Sequence, residues 1–167
     1  MPSASVSRAI PASQHDVWAV LSDIANARRW NDAWSKIEIT SRQTHGPGTE
    51  FRAQTESGAA YTFVITDWVA PELITFVPVR EEEEPQYTIT LESQTFRLRP
   101  LSETETMVEL SARARARGVR GRFTAMFFWP GYQRHGLEQA LDALAAIFAR
   151  GETDGGKEEG EVESPAE

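Results

Sequence analysis

The chain has 167 residues, with 17 Lys and Arg against 25 Asp and Glu and no cysteine. That length fits one domain with a real hydrophobic core. The lack of cysteine excludes a disulfide-stapled scaffold, a thiol nucleophile and any thiolate-held zinc or iron–sulfur site.

Hydrophobic residues make up 40% of the chain, and no apolar run approaches the ~20 residues of a membrane-spanning helix. The expectation is a soluble protein with no integral membrane segment. Met1-Pro2-Ser3-Ala4-Ser5 has no charged flank leading into an apolar stretch. The sequence therefore predicts no secretory signal and a cytoplasmic location.

Residues 151–167 (GETDGGKEEGEVESPAE) carry −6 of the net charge of −8 and almost nothing apolar. The division expected is a folded domain over 1–150 and a disordered acidic tail over 151–167. The basic residues are 15 Arg and two Lys, and five of the Arg fall between Arg113 and Arg122.

A first strand ends at Pro11. Ser13 and Asp16 then form an S-x-x-D capping box, and Val17, Val20, Leu21 and Ile24 recur at helical spacing. A second short helix or turn is predicted over Ala25–Trp30. From there the period changes to two. Ile37 and Ile39 alternate with charged neighbours, and His45-Gly46-Pro47-Gly48 is a turn. Phe51 and Ala53 begin the next run, Ser57-Gly58 turns again, and Tyr61, Phe63 and Ile65 share a face. Leu73–Val79 is rich in β-formers, and Glu81–Pro85 is a charged loop.

Tyr87, Ile89 and Leu91 occupy odd positions, whereas Phe96 and Leu98 occupy even ones. That phase slip predicts a bulge between residues 92 and 95. In the last strand Val108, Leu110, Ala112, Ala114 and Ala116 alternate with Glu109, Ser111, Arg113, Arg115 and Arg117. The final element reads as one helix from about Gly121 to Arg150, kinked at Pro130 and stopped at Gly151. Leu137, Leu141, Leu144 and Phe148 form its apolar stripe.

Consecutive strands with short connections pair antiparallel, and their apolar face needs a cover that only the long helix is large enough to supply. The fold class expected is α+β. A curved antiparallel sheet of about six to seven strands wraps around a long C-terminal helix, with two short helices after strand 1.

Three segments carry a resemblance to a known superfamily. They are Ile10-Pro11-Ala12-Ser13 with Val17–Asp23, then Trp30-Asn31 with Trp34–Glu38, and Phe96–Leu101 with Thr104-Glu105-Thr106. Together these resemble the START-like, Bet v 1-like (SRPBCC) superfamily, in particular its bacterial polyketide cyclase/dehydrase branch, over residues 1 to about 150. The resemblance implies the helix-grip fold with a deep cavity between sheet and helix. It also implies hydrophobic small molecules, such as lipids, sterols or polyketides, as ligands. Some relatives act instead as adaptors or regulators.

The residues support a cavity on their own terms. Three successive alanines, Ala112, Ala114 and Ala116, leave space beneath a helix. Trp30, Trp34, Tyr61, Phe63, Trp68, Tyr87, Phe96, Phe127, Trp129 and Tyr132 are large enough to frame it. Each aromatic taken singly reads as core packing; the set, in this fold, reads as a pocket lining. The buried phenols expected at Tyr61 and Tyr87 need hydrogen-bond partners and can orient a polar ligand atom or act as weak acids.

Carrying the Leu137/Leu141 stripe back one turn places Arg134 near the inner face. There an arginine can hold a carboxylate or enolate, and His135 can move a proton. The plain alternative is an exposed Arg. Arg113, Arg115 and Arg117 share the outward face, where pairing with Glu50, Glu56 or Glu92 accounts for them. An acidic chain lacking exposed aromatics beside these arginines is not expected to bind nucleic acid. His15, His45 and His135 are too scattered for a metal motif, and no phosphate-binding or dinucleotide-binding glycine loop is present. Neither metal nor cofactor is expected.

The leading expectation is a binding protein for a hydrophobic small molecule, acting in transport or sequestration, as monomer or homodimer. One alternative is a cofactor-independent cyclase/dehydratase using Tyr61, Tyr87, Arg134 and His135. Another is an interaction protein that recruits a partner through the acidic tail or the arginine stripe.

Overall fold

The structure, a computed structural model, describes residues 2–79, 89–127 and 129–154, with backbone alone at Phe127, Tyr132 and 151–154. Strand β1 (Ser3–Ile10) leads to helix α1 (Gln14–Ser22) and a short 3-10 helix (Ile24–Arg29). Six strands follow: β2 (Trp34–Ile39), β3 (Glu50–Thr55), β4 (Ala60–Val69), β5 (Leu73–Pro78), β6 (Ile89–Pro100) and β7 (Thr106–Ala116). Helices α2 (Gly118–Phe127) and α3 (Trp129–Asp154) close the described chain. All strand pairs are antiparallel, and the seven-stranded sheet has the order β1-β7-β6-β5-β4-β3-β2. This is the expected helix-grip arrangement.

Helix α1 starts where its cap is encoded, with Ser13 Oγ accepting from the Asp16 N–H at 3.1 Å. It buries Val17, Trp18 and Leu21. The predicted irregularity in β6 is a register shift between Leu91 and Ser93, which places it at Glu92, the first residue of the interval expected. Past it, Phe96 and Leu98 face the core opposite Leu110 and Val108. The inward side of β7 is Val108, Leu110, Ala112 and Ala114, all buried.

The described C-terminal helical residues are Gly118–Phe127 (α2) and Trp129–Asp154 (α3), with Pro130 the second residue of α3. The helical run thus begins three residues before the expected Gly121, and the residue that joins the two stretches ahead of the expected kink at Pro130 lies outside the described residues. Gly118, at φ +71°, makes the reversal from β7 into α2, a conformation glycine adopts without strain. Gly151 does not stop α3, which continues to Asp154.

Helix α3 packs chiefly along the edge strand β1 and more lightly on β7. Its buried stripe is Leu137, Leu141, Leu144 and Ala145. Each buried leucine contributes roughly 1.5–3 kcal/mol of apolar transfer free energy, an upper estimate. Among the described residues no helix is long and apolar enough to cross a membrane.

Candidate ligand site

The aromatic residues of the concave face lie together but touch one another. Trp30 meets Phe96 edge-on with ring centroids 5.1 Å apart, and it lies 5.8 Å from Trp34 and 6.4 Å from Phe76. Trp34 continues to Phe51 at 5.8 Å and Phe63 at 5.7 Å, and Phe51 stacks on Phe63 at 5.4 Å. These separations are those of packed aromatic pairs. Trp30, Trp34, Phe63 and Phe96, expected as pocket lining, are thus consecutive members of a buried core cluster. Ala112 and Trp129 are buried in the same core. Trp68 is partly buried edge-on against Trp18, at 5.4 Å.

Two other expectations change. Tyr61 has the predicted parity, opposite Ala53 and two residues from Phe63, yet it is 53% exposed. Its position near the start of β4 lies past the part of the face that the core covers. Arg134 is exposed and donates to Glu138 at 3.2 Å, and His135 is exposed with Gln139 at 3.3 Å. The side of α3 that carries them flanks its buried stripe. Tyr87 lies outside the described residues, and the side chains of Phe127 and Tyr132 are likewise not described. The catalytic candidates on described side chains are therefore dispersed: Tyr61 is on β4, four strands from β1, and Arg134 and His135 are on the helix that packs on β1.

The alanine argument has a structural counterpart. A cleft of about 620 Å³ lies where the end of β7 and the start of β1 meet α2. Ala114 and Ala116 form one wall, Ala125, Met126 and Pro130 another, and Pro2 and Ser3 the rim. Arg115 and Arg122 also line it. Arg115 is bound to Glu92 at 2.7 Å, one of the pairings expected from sequence. Glu50 instead accepts from Thr40 Oγ1 at 2.9 Å. Arg122 has no hydrogen-bond or ion-pair partner among the described residues. The cleft therefore offers short apolar walls and, in Arg122, a cation with no partner among the described residues.

A second cleft of about 340 Å³ runs between β1 and α3. Its charges are already paired, Arg8 with Asp142 and Arg134 with Glu138. Among the described residues no three His, Asp or Glu side chains come together to hold a metal ion.

Of the expected ligand residues whose side chains are described, Ala114 alone lines the larger cleft. Arg122, Ala125, Met126 and Pro130 escaped sequence reasoning. Their signal was present in Gly118–Phe127 (GVRGRFTAMF), where the small residues Gly121 and Ala125 are four apart and so share one face of the helix.

Comparison with known proteins fits this architecture. The family model described as "Polyketide cyclase / dehydrase and lipid transport" matches residues 1–149. No curated protein matches the chain. Among solved structures, an uncharacterized protein from Bacillus thuringiensis superposes with a TM-score of 0.69 at 14% identity, covering 88% of this chain and 98% of that one. A START superfamily protein from Mycobacterium smegmatis gives 0.66 at 18% identity, over 89% and 97%. A norcoclaurine synthase mutant from Thalictrum flavum, solved with a transition-state analogue, gives 0.67 at 16% identity, over 90% and 95%. At these identities the likeness is one of fold.

Proposed function

This chain belongs to the polyketide cyclase/dehydrase and lipid transport family, and from that premise we propose that it binds a hydrophobic, acid-bearing small molecule, such as a fatty acid or polyketide chain, in the cleft between β7 and α2. The observation that carries the reading is Arg122, which has no hydrogen-bond or ion-pair partner among the described residues and lines a cleft walled by Ala114, Ala116, Ala125, Met126 and Pro130. Apolar burial supplies most of the affinity, in proportion to the area removed from water. The guanidinium fixes the direction of entry, because its planar fork matches a carboxylate in two hydrogen bonds. The small side chains matter as much as the large ones. A methyl side chain every second residue leaves the strand surface open to a chain-like ligand.

Carriage or sequestration needs nothing beyond this site. The cyclase/dehydratase reading draws on the family description and requires groups around the bound ligand that move protons. Tyr61, Arg134 and His135 do not line the cleft, so the binding reading is the one the geometry favours.

The test is a titration with dodecanoate that displaces a fluorescent fatty-acid probe. The native chain is expected to bind saturably. Ala116→Trp, which fills the cleft from a half-buried wall position, is expected to weaken binding at least tenfold, and Arg122→Ala several-fold. Native mass spectrometry of gently purified protein supplies a second readout, in which a discrete added mass of an acidic lipid supports the reading. Binding that is unchanged in a folded Ala116→Trp variant places the ligand elsewhere and overturns it.

A further inference from the structure

Helix α2 is built with its apolar side reversed. Its buried positions among the described side chains are small, Gly121 and Ala125, whereas Val119, Phe123 and Met126 are 86%, 63% and 70% exposed. A surface helix of a globular protein turns its large apolar residues inward. At about 100° per residue, Val119, Phe123 and Met126 fall within roughly 60° of one another around the helix axis. Arg122 borders that arc on one side and Arg120 on the other, both exposed. Arg117 is exposed immediately before the helix, Arg113 and Arg115 stand on the outward face of β7, and α2 contains no Asp or Glu. In a chain of net charge −8 this is the one dense basic stretch.

We infer that α2 is a docking surface for an anionic phospholipid bilayer, with Val119, Phe123 and Met126 entering the headgroup–acyl boundary and the flanking arginines lying on the phosphates. An apolar arc edged by cations on both sides is the pattern of a helix that lies in a membrane interface. The cations also decide between occupants. Burial of this arc against a second copy would bring Arg120 and Arg122 against the same residues of the partner, or close to them, without acids on the helix to offset them. An anionic lipid surface offsets them directly, and its attraction acts within a Debye length of about 8 Å at physiological ionic strength. The inference goes beyond the ligand reading and stands without it. The two are compatible, since Arg122 and Met126 also border the cleft, so that a docked α2 sets the mouth of the cleft against the lipid.

The experiment is co-sedimentation of the full chain with large vesicles, either of phosphatidylcholine alone or with one-third phosphatidylglycerol. No ligand is added, so failure of the ligand reading does not touch the result. The native chain is expected to pellet with the anionic vesicles at least five times more than with neutral ones, and to be released as salt rises to about 1 M, where the Debye length is near 3 Å. Val119→Asp and Arg120→Glu lie outside the cleft and on exposed positions, so they leave the fold intact by circular dichroism. Each is expected to lower binding to anionic vesicles at least fivefold. A native chain that stays in the supernatant with anionic vesicles overturns the inference, as does a Val119→Asp variant that pellets like the native chain. So does light scattering that shows a native dimer which Val119→Asp converts to a monomer, since the stripe is then an interface between copies.

Discussion

The indole of Trp30 sits edge-on to Phe96, ring centroids 5.1 Å apart and planes at 75°, and its Nε1 is buried with no hydrogen-bond partner among the described residues. The ring stabilises the core by packing, while its N–H opposes it through lost hydration. Two substitutions separate these effects. Trp30→Ala removes the ring and is expected to cost about 3–5 kcal/mol. Trp30→Phe keeps a ring and removes the stranded donor, whose burial costs about 1–3 kcal/mol, so its net effect is expected to be far smaller. Urea midpoints of the two variants check this, and equal losses would mean that Nε1 is satisfied in solution.

A buried side chain ties the turn before α1 to the sheet. Thr106 Oγ1 donates to the Ala12 carbonyl at 2.8 Å, and Thr106 is fully buried. Thr106→Val preserves shape and leaves that carbonyl without this donor. A loss of about 1–3 kcal/mol is expected by denaturant unfolding, with an unchanged slope.

At the start of α1, Ser13→Ala is expected to lower stability by about 1 kcal/mol, and Ser13→Gly by only a few tenths. The Ser13 Oγ to Asp16 N–H bond is the group removed. Thermal midpoints in that order confirm that the cap acts as the sequence predicts. The reverse order assigns the effect to backbone freedom instead.

Arg134 and Glu138 form an exposed pair four residues apart on α3. Arg134→Ala and His135→Ala are each expected to change stability by no more than about 0.5 kcal/mol and to leave dodecanoate binding within twofold. A tenfold loss of binding in either variant would move the ligand site to the β1–α3 cleft.

Much of the fold was legible because local signals agreed with the tertiary arrangement. The Ser13/Asp16 cap, the switch from a period of 3.6 to 2 after Trp30, and the phase slip before Phe96 each mark a real boundary or bulge. The site was less legible, and Tyr61 shows why. Alternation assigns its face correctly, but how far the cover extends along that face depends on elements distant in sequence. Trp30, Trp34, Phe63 and Phe96 carry the same lesson. Composition cannot distinguish rings that frame a space from rings that fill it, because centroid distances arise only on packing. Arg134 was drawn inward by carrying the Leu137/Leu141 stripe back one turn, yet α3 rests on the edge strand β1 and turns that position outward. Of the three alanines of β7, Ala112 and Ala114 are both buried in the core cluster, and Ala114 and the half-buried Ala116 also line the cleft.

The central claim is that the ligand lies against β7 and α2 and not within the aromatic cluster. Amide and indole chemical shifts of isotope-labelled protein titrated with dodecanoate test this most directly. The account predicts the largest saturable shifts at Ala114, Ala116, Arg122, Ala125 and Met126, with the Trp30 indole N–H signal nearly unmoved. Shifts concentrated at the Trp30 indole and Phe96, with residues 114–126 silent, would contradict it.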